Sequence, residues 1–428
     1  MDAPTERSTQ SRLPLCYFAA AHVALAAAFA LLAASPATFS GFYYHPKMVA
    51  LVHLVTLGWI TGSILGALYL VAPMALRTAL PARRGDVAAF VLYAVGVLGM
   101  VSHFWIDSPP GMAWSAGTVT LALLWVAARA SHAIARAKIP REVKLPFYFA
   151  FANLAGAAVL GILLGIDKSA HFLGGYVLTN VYAHAHLAAL GWAALLAMAV
   201  GYRLLPMLLP AALPEGPWVL AAALAMEGGV VGLTASLLVR SRWGIAAAAS
   251  LVAVGIALFL SRVVWMHRHR RPAPRELRRP DWGTLLAFEA LLYLALATAL
   301  GLALAWGPAQ APWKLQLARL YAACGLLGFL ALLVTGVSQR LLPLYAWFLA
   351  YQATAHTVQP PSPHRTPVRS LHAASALLWT AGLPVLGAGL LFADPQLVSL
   401  GGRLLLAAVL VGAAGAVAVL RRARSASA

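Results

Sequence analysis

The stretch that decides the fold is residues 178–207, LTNVYAHAHLAALGWAALLAMAVGYRLLPM, an apolar run that carries His184 and His186 and ends just beyond Pro206. A histidine at hydrocarbon depth is costly, so we expect it to have a function there. One residue separates the two histidines, and at about 100° per helical residue their side chains point roughly 200° apart. The run therefore predicts a membrane helix whose two imidazoles face different neighbours.

Composition places the whole chain in the same class. Of its 428 residues, 62% are hydrophobic and only 10% are charged, and the mean hydropathy is +0.81. Such values are typical of membrane proteins with many spans. We predict an all-α polytopic membrane protein with a single transmembrane domain over residues 1–428. About twelve transmembrane helices are expected, near residues 14–35, 46–75, 86–106, 112–135, 146–166, 176–206, 216–239, 243–266, 282–306, 314–347, 369–393 and 396–420.

The basic residues predict an orientation in the membrane. The formal net charge is +19, but the cations lie in alternate loops, after spans two, four and eight and at the C-terminal end. Cytoplasmic loops carry such an excess of Lys and Arg. We therefore expect a multi-pass protein of the cell inner membrane, surrounded by lipid, with both termini cytoplasmic and no nucleic-acid partner. The clusters that set this orientation include Arg77, Arg83 and Arg84, then Arg129, Arg136, Lys138, Arg141 and Lys144, and finally Arg421, Arg422 and Arg424.

Span six is similar to span two. His53 precedes Pro73 by twenty residues, as His186 precedes Pro206. A Gly-Trp pair follows each histidine by five and six residues, and a tyrosine follows that pair. These matches at equal offsets indicate an internal repeat.

Span ten supplies a third copy without the histidine. It keeps a glycine-aromatic pair and Pro343, but Ala323 stands at the histidine position. The prolines of successive copies are 133 and 137 residues apart, which is four spans each time. The sequence thus predicts three pseudo-symmetric four-helix units, approximately residues 14–135, 146–266 and 282–420.

Six histidines are expected in the outer half of the protein. Imidazoles from different spans can converge on haem iron or copper, and interhelical hydrogen bonding is the alternative for each of them. Because Cys16 and Cys324 form no CxxCH motif, any haem is expected to be b-type. The predicted cofactor ligands are His53, His184 and His186, and the wider set of metal-binding candidates adds His103, His45 and His171.

The segment His184 to Trp192, HAHLAALGW, resembles the tenth-helix motif in subunit I of cbb3-type oxidases, in the haem-copper oxidase superfamily. The resemblance implies twelve spans in three four-helix units. It also implies that His184 binds a high-spin haem and His186 a low-spin haem, on opposite helix faces. The topological resemblance covers nearly the whole chain, whereas the motif covers span six and, more loosely, span two.

This sequence departs from that family, because the HxH motif lies in span six, span ten has no histidine, and span seven has no His-His pair for copper. Two assignments stay open. If the units are permuted cyclically, His184 matches the high-spin haem ligand, and His53 with His103 matches part of the copper site. If the units keep their order, His53 matches the low-spin haem ligand and His186 the first copper ligand.

Span two also resembles the NnrS-like family of twelve-span haem- and copper-containing proteins linked to nitric oxide stress, through the pattern HLVTLGW from His53 to Trp59. The two resemblances lead to one functional expectation. We expect a haem-binding membrane protein, with copper as a second candidate cofactor, that acts in electron transfer or in O2 or NO chemistry. An oxidoreductase of the terminal oxidase or nitric oxide type would need a partner subunit or an external electron donor, either a cytochrome or a quinol.

The rival expectation is a cofactor-free transporter or assembly factor that uses the same scaffold and keeps its histidines for hydrogen bonding or for transient handling of metal or haem. Acidic residues inside the spans do not separate the two hypotheses. Glu227 and Glu289 were the acidic residues predicted at membrane depth, and each fits a proton route as well as a hydrogen-bonded structural role.

Overall fold

The fold, given by a computed structural model, is entirely helical wherever secondary structure is described. The structure describes residues 4–273, 276–277, 279–308, 310–355, 357–360 and 362–425, with side chains between 12 and 423. Within these residues, twelve helices are long and apolar enough to cross a membrane, which confirms the predicted polytopic all-α class. They are α1 Arg12–Ala34, α2 Pro46–Ala75, α3 Arg84–Trp105, α4 Pro109–Arg136, α5 Arg141–Ala170, α6 Val177–Leu208, α7 Pro217–Leu238, α8 Arg242–Arg268, α9 Trp282–Trp306, α10 Lys314–Ala353, α11 Arg369–Phe392 and α12 Pro395–Ala423.

Local sequence explains where several helices begin. Proline is the first residue of α2, α4, α7 and α12. Its missing N–H would have no helical partner at that position, and its fixed φ suits the first turn. His45 adds a cap to α2, because its Nδ1 accepts a hydrogen bond from the Met48 N–H at 3.3 Å.

The chain divides into two compact units. Unit 1 contains Met1–Ala20, Tyr44–Arg271 and Ala297–Lys314, and therefore all of α2 to α8. Unit 2 contains Ala21–Tyr43, Pro272–Leu296 and Leu315–Ala428, and therefore all of α11 and α12. The predicted arrangement of three four-helix units stays a prediction.

Glycines allow the hairpin helices within each unit to approach closely. In unit 1, a Cβ added to Gly229 on α7 would lie 2.6 Å from the backbone N of Val252 on α8. In unit 2, a Cβ on Gly401 of α12 would lie 2.7 Å from the Cα of Leu386 on α11. Small residues at such interfaces let membrane helices pack by van der Waals contact.

Each of the three repeated helices has a π-helical segment in the middle. Within the described chain these are π1 Leu54–Thr61 in α2, π2 Leu187–Ala194 in α6 and π3 Cys324–Ala331 in α10. Each begins directly after the repeat's histidine position and contains the glycine-aromatic pair. π-Helical turns are rare in proteins, and those that occur are frequently found at functional sites. The sequence repeat therefore corresponds to a repeated local backbone structure.

The repeat's three prolines lie at different distances from the ends of their helices. α2 and α6 end at Ala75 and Leu208, shortly after Pro73 and Pro206. In contrast, α10 continues beyond Pro343. Proline lacks the N–H that a helix interior needs, so it weakens the helix at that point without always ending it.

A carboxylate at the start of α3 was not predicted to be buried. Asp86, in the first turn of α3, is fully buried. Its carboxylate accepts hydrogen bonds from Trp125 Nε1 at 3.0 Å and from Arg129 Nη2 at 3.1 Å, and from the Arg83 N–H at 2.7 Å. A buried charge is tolerated when it is paired and hydrogen-bonded in this way. Asp86 thus fixes the start of α3 against α4.

Candidate functional site

The predicted outer layer of histidines lies at one end of unit 1. At the start of α2, the Lys47 ammonium is 5.2 Å from the centroid of the Trp105 ring, which ends α3. At the end of α5, Lys168 Nζ is 3.9 Å from an Asp107 carboxylate oxygen. The first turn of α2 and the last turns of α3 and α5 therefore share one end of the unit.

Tyr44 precedes α2 at this same end, outside the membrane-spanning segment. Burial raises the pKa of its phenol, and the nearby Asp167 carboxylate raises it further. Tyr44 therefore stays neutral at physiological pH and keeps its hydroxyl proton.

His53 lies half-buried at the junction between the α-helical start of α2 and π1. Its Nδ1 is 2.7 Å from the carbonyl oxygen of Val49, one turn earlier. The ring stacks on Phe104 of α3, with centroids 4.9 Å apart and planes at 28°. The hydrogen bond and the stacking together fix the position and tilt of this imidazole.

His184 and His186 use different partners, as their spacing predicted. His184 Nδ1 is 2.9 Å from the carbonyl oxygen of Ala157 on α5, a contact between two helices. His186 Nδ1 is 2.7 Å from the carbonyl oxygen of Tyr182 on its own helix. Both side chains are half-buried and lie just before π2.

These hydrogen bonds determine the tautomer of all three histidines. A carbonyl oxygen can only accept, so Nδ1 must be the donor in His53, His184 and His186. The neutral rings then carry their lone pairs on Nε2. Histidines that bind a metal almost always donate the other ring N–H to a carbonyl, a carboxylate or water. The three rings thus have the tautomer required for ligation through Nε2.

The histidine-bearing helices meet inside unit 1. Trp192 Nε1 in π2 donates to Thr61 Oγ1 in π1 at 3.2 Å, and both residues are buried. His53 directly precedes π1, and His186 directly precedes π2. The two π-helical segments are therefore joined by a direct side-chain hydrogen bond.

Gly161 on α5 makes room for the His184 ring. A Cβ at Gly161 would lie 2.9 Å from His184 Cε1 and 3.4 Å from Nδ1. Contacts below 3.0 Å force a neighbour to move, so any larger residue here would displace the imidazole. Gly161 provides space for the His184 ring on the face of α5, and the Ala157 carbonyl provides its hydrogen-bond acceptor. We call this packing position on α5 the seat of His184.

A buried amide connects this region with an acidic side chain. Asn153 Nδ2 on α5 donates to the carbonyl oxygen of Gly191 in π2 at 3.2 Å and to Glu227 Oε2 on α7 at 2.7 Å. Tyr93 on α3 likewise donates its hydroxyl to the carbonyl oxygen of Leu57 in π1. Side chains of neighbouring helices thus hydrogen-bond to backbone carbonyls of both π segments.

The three remaining histidine candidates occupy structural positions. The His103 ring packs against Gly111, and its Nδ1 is 3.1 Å from Ser115 Oγ, so it joins α3 to α4. His45 caps α2 through its Nδ1. His171 is exposed and ends α5 in a left-handed conformation with φ of 50°. These contacts fit helix packing and capping, and metal binding by these three residues stays a prediction.

The six histidines are not gathered into one metal-binding group. Among the residues that the structure describes, no set of three or more His, Cys, Asp or Glu side chains is placed to hold a metal ion. Haem iron needs only one or two protein ligands, because the porphyrin supplies the other four.

Comparison with known proteins gives no family for this chain. No protein-family model matches it, and no curated protein sequence matches it significantly.

Sequence reasoning missed several residues that shape the site. Across helix interfaces, Gly161 contacts His184, Asn153 contacts Gly191, and Thr61 contacts Trp192. No short-range sequence pattern predicts such contacts. The π segments did have a signal, namely a glycine and an aromatic residue at the fifth and sixth positions of all three eight-residue stretches.

Proposed function

We propose that this membrane protein binds b-type haem through His53, His184 and His186, and that it acts in electron transfer or in chemistry on a diatomic gas such as O2 or NO. The observation that carries the proposal is the shared hydrogen bonding of the three rings. Each donates Nδ1–H to a backbone carbonyl at 2.7–2.9 Å, which sets the tautomer with the lone pair on Nε2, the atom that would bind iron.

The surroundings of these rings fit side chains that would hold a haem. Such a ligand needs a fixed ring plane as well as the correct tautomer. Phe104 fixes the plane of His53 by stacking, and Gly161 with the Ala157 carbonyl fixes His184. When bound, haem would supply one-electron transfer and a coordination position for a gas. The residues of the chain would hold the imidazoles in place and keep the centre at low polarity.

The resemblance to haem-copper oxidases supports two different ligand assignments. In one, His184 holds a high-spin haem and His53 lies near a copper position. In the other, His53 holds a low-spin haem and His186 lies near copper. Single alanine variants distinguish them, because removal of a high-spin ligand abolishes CO binding whereas removal of a low-spin ligand leaves it.

We further propose that the scaffold is a diverged relative of this superfamily, with three pseudo-symmetric units in the inner membrane and the histidines in the outer half. Both termini would then be cytoplasmic. A cytochrome, a quinol or a partner subunit would deliver electrons. The positive-inside distribution of Lys and Arg supports this orientation.

The test is an absorption spectrum of the protein purified after expression with ample haem, together with a pyridine haemochrome assay and metal analysis of the same sample. We expect a Soret band and b-type haem, and the metal analysis measures copper directly. A preparation that is folded but lacks both haem and copper would favour the cofactor-free transporter or assembly factor.

A CO-difference spectrum of the reduced protein then separates the two haem functions. A shift on CO addition indicates an open iron position and supports chemistry on a gas. Absence of a shift in a haem-containing sample indicates a six-coordinate centre and supports electron transfer.

A further inference from the structure

A cavity of about 240 Å³ lies at the end of unit 1 opposite the histidine layer. Its walls are the loop of residues 78–83, between α2 and α3, and the last turns of α4. Four of the lining side chains are basic, namely Arg83, Arg129, His132 and Arg136. We call this feature the basic cavity.

The walls of the basic cavity are fixed by hydrogen bonds. Thr78 Oγ1 donates to the carbonyl oxygen of Ala133 on α4 at 2.9 Å. Arg129 Nη2 donates to the carbonyl oxygen of Pro81 at 2.6 Å. The loop is therefore tied to α4 at two points, and Leu80, which is 6% exposed, anchors it between them. The fold itself therefore fixes the shape of the cavity.

The cations of the basic cavity are only partly neutralised. Arg129 is paired with the buried Asp86, whose carboxylate is 3.1 Å from Nη2. Within the described residues, no carboxylate lies within 4.0 Å of the side-chain nitrogens of Arg83 or Arg136, and both arginines are exposed. Two guanidinium groups therefore face the cavity without a counter-ion from the described chain.

The location adds a second constraint on the ligand. The cavity is bordered by the C-terminal ends of α2 and α4 and the N-terminal end of α3, which are membrane-spanning helices. Helix ends lie at the level of lipid headgroups, where phosphates are abundant. Basic pockets between spanning helices on the cytoplasmic side are suited to anionic headgroups.

We propose that the basic cavity binds a phosphate-bearing anion, held by the guanidinium groups of Arg83 and Arg136 with His132 beside them. Guanidinium presents a planar fork of N–H donors that matches two phosphate oxygens. The phosphate can come from an anionic phospholipid such as cardiolipin or from a soluble phosphate, and the two sources share this recognition chemistry.

The experiment compares the sources on the full-length protein. Nanodiscs of phosphatidylcholine, with or without a minority of cardiolipin, provide the lipid arm, with lipid retention measured by native mass spectrometry. Inorganic phosphate and pyrophosphate, titrated into the detergent-solubilised protein at low salt, provide the soluble arm, with the thermal unfolding midpoint as readout. Low salt is needed because salt screens exposed charges.

The test variants are Arg83→Gln, Arg136→Gln and the double variant. Arg84→Gln is the matched control, because Arg84 neighbours Arg83 and is also exposed but does not line the cavity. We expect about fivefold weaker binding for each lining arginine removed, from the usual attraction of one cationic side chain to an anionic surface. Arg84→Gln should retain wild-type binding. Arg83→Lys should bind more weakly than the wild type but better than Arg83→Gln, because it keeps the charge and loses the planar fork.

The outcomes are distinct. Loss in the lipid arm assigns the cavity to a phospholipid headgroup, and loss confined to the soluble arm assigns it to free phosphate. If the double variant retains cardiolipin and responds to both phosphates as Arg84→Gln does, the proposal is wrong. Circular dichroism of each variant shows whether it is folded, and Arg83→Lys provides a second comparison if a glutamine variant is not.

Discussion

Helices α6 and α10 have the same central backbone structure but different side chains directly before it. Each contains an eight-residue π segment with glycine fifth and an aromatic residue sixth. Directly before it, α6 carries His184 and His186, whereas Tyr321 and Ala323 occupy the matched positions of α10. Because π3 forms without a histidine, the π segment belongs to the scaffold and does not depend on a ligand-binding imidazole.

The glycines of the two π segments admit different neighbours. Gly191 of α6 is approached by Asn153, an amide that also reaches Glu227. Gly328 of α10 is approached by the ring of Tyr293. A hydrogen-bonding amide therefore occupies this position in the histidine-bearing copy, while an aromatic ring fills it in the other copy. The repeated backbone pattern accepts either neighbour.

The largest expected effect comes from making α6 like α10 at its histidine. His186→Ala reproduces the alanine found at position 323 and, under the proposed function, removes a haem ligand. It should therefore lower haem content by more than the roughly 10–100-fold that loss of a supporting contact costs. The Soret absorbance per protein measures this. His53→Ala should act similarly.

His372→Ala is the control for these variants, because His372 is another half-buried histidine inside a span, on α11. It should keep the full Soret band. If His186→Ala and His53→Ala also keep an unchanged spectrum, neither residue is a haem ligand.

The next effect concerns the seat of His184, which α10 does not need. Gly161→Val would place side-chain atoms where the His184 ring now lies, since even a Cβ would approach Cε1 to 2.9 Å. We expect haem affinity to fall about 10–100-fold, as for other losses of ligand support. Gly325→Val in π3 is the control, because nothing lies within 4 Å of a Cβ at Gly325. Equal haem loss in both variants would show a general effect of valine and would contradict a specific role of Gly161 in positioning His184.

Much of the fold could be predicted from the sequence, because a membrane helix is recognised from the apolar residues of one continuous segment. Apolar length and charged loops gave all twelve spans, and the ends of α2 and α9 were correct to the residue. The burial of Asp86 was not predicted, because its partners, Trp125 and Arg129, lie about forty residues away in the sequence. Only the folded hairpin of α3 and α4 shows that this carboxylate is buried and paired.

The site was predicted less completely, for the same physical reason. The motif and its spacing identified His184 and His186, and the repeat identified His53. The supporting contacts join different helices, as between His184 and the Ala157 carbonyl, 27 residues apart. Such contacts depend on helix packing, which periodicity alone does not determine. The predicted outer layer also contained both His53 and His103. The sequence did not show that His103 packs on α4.

A third prediction compares the glycines of the two π segments directly. Gly191→Ala brings a Cβ within 2.8 Å of Asn153, and Gly328→Ala brings one within 2.5 Å of the ring of Tyr293. Each should destabilise the protein by about 1–3 kcal/mol through overpacking, measured by denaturation in micelles. Only Gly191→Ala should also alter the haem spectrum. Gly325→Ala should leave both stability and spectrum near wild type, and a spectral change in Gly328→Ala would contradict the division between the two copies.

The smallest expected effect tests the hydrogen bond that joins π1 to π2. Thr61→Val keeps the side-chain shape but removes the acceptor of Trp192 Nε1, so we expect a loss of about 1 kcal/mol in unfolding free energy. Thr335→Val on α10 is the control, because the Thr335 hydroxyl donates to the Ala331 carbonyl of its own helix. In the double variant Thr61→Val with Trp192→Phe, the second change removes the stranded N–H and copies Phe329 of α10. Its cost should therefore be smaller than the sum of the two single changes, because each single change already breaks the same bond. Strict additivity would mean that this hydrogen bond does not contribute to holding the two histidine-bearing helices together.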